Sequence, residues 1–143
     1  MLGSGRIRTD LALEARERSY SPYSHFRVGA ALLCGDGSVY TGCNIENAAF
    51  TPGICAERTA FAKAVSEGKR SFRAIAIAGG PEKGHPAFTA PCGVCRQVMA
   101  EFCDPESFRI LLGAGTDETQ EFLLKELLPF GFGPGDLKEE CEG

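Results

Sequence analysis

Two strand-favouring runs, Arg27 to Cys34 and Ser38 to Cys43, flank the short polar interruption Gly35-Asp36-Gly37. That separator suits a tight turn, so the two runs predict an antiparallel hairpin whose edge Asn44 to Ala48 extends. The isoleucine-rich run Phe72 to Ala78 and the apolar run Phe108 to Leu112 predict two more strands, the first followed by a glycine and proline loop from Gly79 to Pro86. Helical patterns alternate with these strands. Thr9 to Arg18 offers Leu11, Ala12, Leu13 and Ala15 as an apolar face, with Asp10 near its start, and a polar loop from Ser19 to Phe26 follows. The alanine-rich stretch around Cys55 predicts a helix beginning near Thr51 to Gly53 and running to Gly68, with Cys55 in its first turn. Pro91 opens another over Cys92 to Phe102. A last helix begins at Thr119, with Phe122, Leu123, Lys125 and Leu127 at helical spacing, and ends at Pro129. An initial hairpin followed by alternating helices and strands reads as a layered α/β domain with a mixed sheet.

Length and charge narrow the function classes. A chain of 143 residues is one domain, 1–143, large enough to bury around two-thirds of the surface exposed by its unfolded form. Lys and Arg number 15 against 19 Asp and Glu, and no basic stripe is present, which argues against a polynucleotide partner. Met1 to Asp10 lacks the apolar core of a signal peptide, and no apolar run approaches membrane-spanning length. The expectation is a cytoplasmic protein with no membrane partner, in which seven cysteines serve as metal ligands and free thiols rather than disulfides.

Cys55-Ala56-Glu57 and Pro91-Cys92-Gly93-Val94-Cys95 carry the candidate chemistry. Cys92 and Cys95, three apart, share a helix face, and helix N-termini favour thiolate over thiol. Three thiolates bind one zinc ion and leave a fourth position for water, while a glutamate beside the cluster can move protons on and off that water. Arg58, the nearest cation in sequence, is placed to hydrogen-bond the sulfurs. Taken alone, the Cys-x-x-Cys element fits a thioredoxin-like redox pair or half of a structural zinc knuckle, and Glu57 fits an ordinary acidic residue near a helix start. A closed site would draw its fourth ligand from Cys34, Cys43, Cys103, Cys141, His25 or His85, none at knuckle spacing from Cys55. Asn44 and Glu46 flank Ile45. In an extended segment the two polar groups point together while Ile45 turns to the core, a pattern that by itself also fits a solvated strand end. Phe26 fits core as readily as site.

The ordered series Ser21-Pro22-Tyr23-Ser24-His25-Phe26, Val28-Gly29-Ala30-Ala31, Gly42-Cys43-Asn44-Ile45-Glu46-Asn47-Ala48, Cys55-Ala56-Glu57-Arg58, Pro91-Cys92-Gly93-Val94-Cys95-Arg96-Gln97 and Glu126-Leu127-Leu128-Pro129 resembles the short, homotetrameric cytidine deaminases. The resemblance covers nearly the whole chain and includes the ligand-x-Glu and Pro-Cys-x-x-Cys signature of zinc nucleobase deaminases. It implies a three-layer fold with a five-stranded mixed sheet and the zinc helices on one face. It also implies one zinc per chain and hydrolysis of cytidine and deoxycytidine to uridine and deoxyuridine, a pyrimidine salvage reaction. By the same resemblance Glu57 is the proton carrier, and Phe26 packs on the pyrimidine. Asn44 and Glu46 hold the ribose, Ala56 and Ala90 read the base edge through backbone groups, and Phe132 reaches a neighbouring subunit's site. The chain departs from many members at Phe50, where tyrosine is usual, and at Ala90, where serine is usual. Two alternatives stand beside this reading. A blasticidin-type antibiotic deaminase shares the zinc motifs, although Glu126-Leu127-Leu128-Pro129 with Phe132 favours cytidine deaminase, and a structural zinc module would bind metal without turnover.

Overall fold

The alternation of side chains along the strands divides the core in two. Ala30, Leu32 and Cys34 face one way and Ala31 and Leu33 the other, while Ile75 and Ile77 oppose Ala74, Ala76 and Ala78 in the same manner. The structure, a computed structural model, describes residues 9–114 and 118–137; Met1 to Arg8 and Cys141 lie outside them. Within it run α1 (Thr9–Ala15) with a 3-10 turn over Arg16–Arg18, β1 (Phe26–Cys34), β2 (Val39–Cys43), α2 (Ala56–Ser66) and β3 (Phe72–Pro81). These are followed by α3 (Gly93–Phe102), β4 (Arg109–Gly113), β5 (Thr119–Leu123), α4 (Leu124–Leu127) and a second 3-10 turn over Pro134–Asp136. The sheet order is β2-β1-β3-β4-β5, with β3 and β4 parallel and the other pairs antiparallel.

The faces are unequal in grain. α1 lies on the small-residue face, where Gly29 permits contact so close that an added Cβ would fall 2.1 Å from the Ala12 carbonyl oxygen. Phe61 of α2 and Met99 of α3 fill the opposite face with Ile75, Ile77, Phe108 and Ile110. The expected three-layer α/β arrangement, with a mixed five-stranded sheet and the cysteine-bearing helices on one face, is the one observed. The hairpin also forms: Cys34 N–H donates to Ser38 O at 2.8 Å, and Gly37 adopts the positive φ of 93° that the turn requires.

Several local expectations differ from the structure. Thr119 begins a strand rather than a helix, because β5 satisfies the backbone groups along the otherwise open edge of β4, and only Leu124–Leu127 remains helical. Asn44 to Ala48 does not extend the hairpin; Ile45 makes isolated bridges to Tyr20 and Ile54. β3 continues through Gly79 and Gly80 to Pro81, since β1 offers partners over its whole length. α2 begins at Ala56 rather than near Thr51 to Gly53, and α3 at Gly93 rather than Cys92. The reason is shared: Cys55 and Cys92 are extended (ψ 157° and 169°) and occupy the position just before the first helical residue.

Candidate active site

Both cysteines occupy the residue just before the first helical turn, and neither sulfur is spent on a side-chain capping hydrogen bond. Their carbonyls already accept the first intrahelical bonds, from Thr59 N–H to Cys55 at 3.0 Å and from Arg96 N–H to Cys92 at 2.9 Å. Cys95, one turn into α3, is buried and completes a triangle. Cys55 Sγ lies 3.6 Å from Cys92 Sγ, and Cys92 Sγ lies 3.5 Å from Cys95 Sγ, all three within 4.8 Å of one another. Sulfurs on a tetrahedral zinc at the usual bond length stand about 3.8 Å apart, so the cluster fits zinc closely. Among the described residues, no fourth His, Cys, Asp or Glu joins the group. That donor set leaves a coordination position for water or substrate.

The electrostatics suit a sulfur cluster beside a proton carrier. A hydrogen bond from the Cys95 thiol, together with Arg58 Nη2 at 3.4 Å, holds the Cys55 thiol well below its ordinary range. Cys95 is correspondingly pushed up by that shared bond, by burial and by Glu57. Glu57, the second residue of α2, is 4% exposed. Burial above all, with the Cys55 charge adding to it, raises its carboxyl to about 7. The Arg58 guanidinium is turned toward the sulfurs through Nη2, while its buried Nε has no hydrogen-bond partner among the described residues.

Residues 8–110 match the family model for the cytidine and deoxycytidylate deaminase zinc-binding region. The chain belongs to this deaminase family. A cytidine deaminase from Sporosarcina psychrophila is 49% identical over 129 residues, spanning 90% of this chain and 91% of the relative. Among solved structures, the cytidine deaminase of Burkholderia pseudomallei is 42% identical with a TM-score of 0.78, covering 87% of this chain and 95% of that one. The Mycobacterium tuberculosis cytidine deaminase is 36% identical with a TM-score of 0.74, covering 88% and 94%.

The remaining candidate residues of this family member fall into two groups. Asn44 and Glu46 both turn toward the segment 19–28, so they share a side as alternation predicts, but Ile45 is 42% exposed instead of entering the core. Its backbone leaves the sheet here, bridging Tyr20 and exchanging hydrogen bonds with Ile54 at 2.9 Å. Asn44 Oδ1 accepts from Val28 N–H at 2.9 Å and from Ser19 Oγ, while Nδ2 donates to Phe26 O at 2.9 Å, so this amide brackets Phe26. Glu46 accepts from Tyr23 N–H at 2.9 Å, Ser24 N–H at 3.1 Å and Ser24 Oγ, and these bonds hold its carboxyl below the usual range. Phe26 is at the surface, at 37% exposure. Ala56 is fully buried at the head of α2, Ala90 is exposed one residue before Pro91, and Phe132 is 56% exposed.

The contacts of three side chains were not anticipated from the sequence. Thr59 Oγ1 donates to Cys43 O at 3.0 Å or to Cys55 O at 3.2 Å, joining the end of β2 to the first ligand. Arg96 and Gln97, which directly follow Cys95, reach the C-terminal segment. Their position after a metal-ligand motif was the only local signal. No helix among the described residues is long and apolar enough to cross a membrane.

Proposed function

We propose that this chain catalyses hydrolytic deamination of cytidine and deoxycytidine to uridine and deoxyuridine, releasing ammonia, as one catalytic domain over residues 1–143. The observation that carries the proposal is Glu57, a carboxyl buried beside three converging sulfurs that leave a coordination position open. Cys55, Cys92 and Cys95 hold zinc. When bound, the ion supplies a water acidic enough to lose a proton near neutrality. Glu57 takes a proton from the water that attacks C4 and delivers it to N3, then takes the hydroxyl proton of the C4 adduct and delivers it to the amino nitrogen, which leaves as ammonia. Arg58 offsets the excess negative charge of the thiolates. The backbone of Ala56 and the carbonyl of Ala90 read the amide edge of the base, while Phe26 lies against its face.

Asn44 and Glu46 hold the ribose, and each has a second task in fixing the loop that carries Phe26. A hydrogen bond from a sugar hydroxyl to a carboxylate is worth about 1.5–3 kcal/mol, which gives nucleosides a clear advantage over free cytosine. Phe50 at 97%, Phe130 at 107% and Phe132 at 56% exposure support a homotetramer in which neighbouring chains close one another's sites. The acidic charge balance and the free thiols support a cytoplasmic setting with no nucleic-acid partner.

The test is loss of cytidine absorbance on adding purified protein, abolished by a chelator and restored by zinc, with cytosine run in parallel. Zinc-bound protein that leaves cytidine intact would favour a structural zinc module. Preferential turnover of blasticidin S would favour the antibiotic deaminase.

A further inference from the structure

Arg96 spreads one guanidinium between two distant pieces of chain. Nε donates to Pro91 O at 2.7 Å, and Nη1 donates to Leu127 O at 2.6 Å. Pro91 immediately precedes the ligand Cys92, and its neighbour Ala90 is the proposed reader of the base. Leu127 ends α4, and its carbonyl belongs to the last turn, which has no intrahelical partner to offer. Beyond it the chain folds back along α3. Gln97 Nε2 donates to Phe132 O at 2.7 Å, and a Cβ on Gly133 would lie 3.5 Å from Ala100 O. Gly131 sits so close to Leu128 that an added Cβ would approach its side chain to 2.8 Å. The tail backbone is therefore seated on its own α3, while the Phe132 ring remains half exposed.

We infer that Arg96 is a positioning residue that couples the second metal-ligand turn to the C-terminal tail, so that the geometry of Cys92 and the placement of Phe132 depend on one side chain. Lysine cannot replace it. An ammonium at the end of a flexible stem reaches one carbonyl, whereas Nε and Nη1 of a rigid planar fork reach two at once. The coupling also runs in both directions: whatever loosens the ligand turn loosens the tail, and the reverse. This inference rests on the deaminase reading only for its kinetic arm, because metal release and amide exchange are measured without turnover.

The experiment compares the wild type, Arg96→Lys and Gln97→Ala, all zinc-loaded. For Arg96→Lys, loss of one charge-assisted bond should raise KM for cytidine about tenfold and speed zinc release to a chelator by a similar factor, with kcat within about threefold. Exchange at the Leu128 and Gly133 amides, which are bonded to Leu124 O and Asp136 Oδ2, should quicken in the same variant. Gln97→Ala, which frees the tail while the Arg96 fork stays intact, should quicken Gly133 exchange, raise KM and speed zinc release by less than Arg96→Lys does. In the unsubstituted protein, stripping zinc should quicken exchange at Leu128 and Gly133 relative to the β3 amides, a measurement that needs no variant. Faster zinc release in Arg96→Lys without any change in tail exchange would overturn the coupling. So would tail exchange in the wild type that ignores the metal. Failure of the wild type to deaminate cytidine would overturn the functional reading instead and leave these two results standing.

Discussion

The two helices that deliver the sulfurs begin in opposite surroundings. At the head of α2 everything is closed: Ala56 and Glu57 are buried, Thr59 bonds back to β2, and Gly42 lies so close that an added Cβ would be 2.6 Å from both Ala56 O and Ala60 N. The head of α3 is open, with Cys92, Gly93 and Val94 exposed and, beyond its own turn, no atom of the described residues within 4 Å of where a Gly93 Cβ would stand. The two ends do different work. A carboxyl that must hold a proton near neutral pH needs a dry seat, and it is on the closed helix that Glu57 sits. A substrate must enter somewhere, and the open turn leaves the approach free, with Arg96 supplying from behind the order that burial supplies at α2.

The harshest way to break this contrast is to remove the ligand that joins the two ends. Cys95→Ala should lose both bound zinc, expected at about one ion per chain, and all deamination. Full metal occupancy with normal turnover, read by elemental analysis and absorbance, would take Cys95 out of the ligand set. Glu57→Gln tests the closed end alone. It should keep zinc while kcat falls at least about a hundredfold, the lower range of general acid–base contributions, and a near-native rate would end its assigned role. Gly42→Ala should strain the α2 backbone and cost about 1–3 kcal/mol in denaturant unfolding, with faster zinc release alongside. The smallest effect belongs to the open end: Gly93→Ala should leave zinc release unchanged and raise stability by up to about 1 kcal/mol, since alanine loses less entropy in a helix. A larger penalty at Gly93 than at Gly42 would reverse the contrast.

Features set by neighbours in sequence were legible before the fold was known. The Gly35-Asp36-Gly37 turn carries its own instructions, with Asp36 Oδ1 accepting from the Ser38 N–H and hydroxyl, and the cysteine spacing singles out the three sulfurs that converge. Features set by distant partners were not. Phe122, Leu123 and Leu127 fit a helical period, but the open edge of β4 claims Thr119–Leu123 as strand, because pairing satisfies backbone groups that side-chain spacing does not register. Arg96 and Gln97 were visible only as part of a motif. Their partners lie 31 and 35 residues away, and nothing local to α3 says where the chain returns. Cys55 and Cys92 were expected inside their helices for a related reason: composition marks a good helix former but not the residue at which the backbone turns from extended to helical.

The sheet ends in two edges, β2 and β5, each of five residues. On β5, Glu121 is paired across to Arg109 at 3.5 Å and the strand is mostly exposed. A short, charged edge discourages another chain from adding a strand, which protects the protein against ribbon-like aggregation. It also channels any ordered association toward the loops, where the exposed aromatic side chains Phe50, Phe88 and Phe132 stand. Copies that meet there contact one another through side chains rather than a continuous hydrogen-bonded sheet, so an assembly of this chain would separate without unravelling its strands.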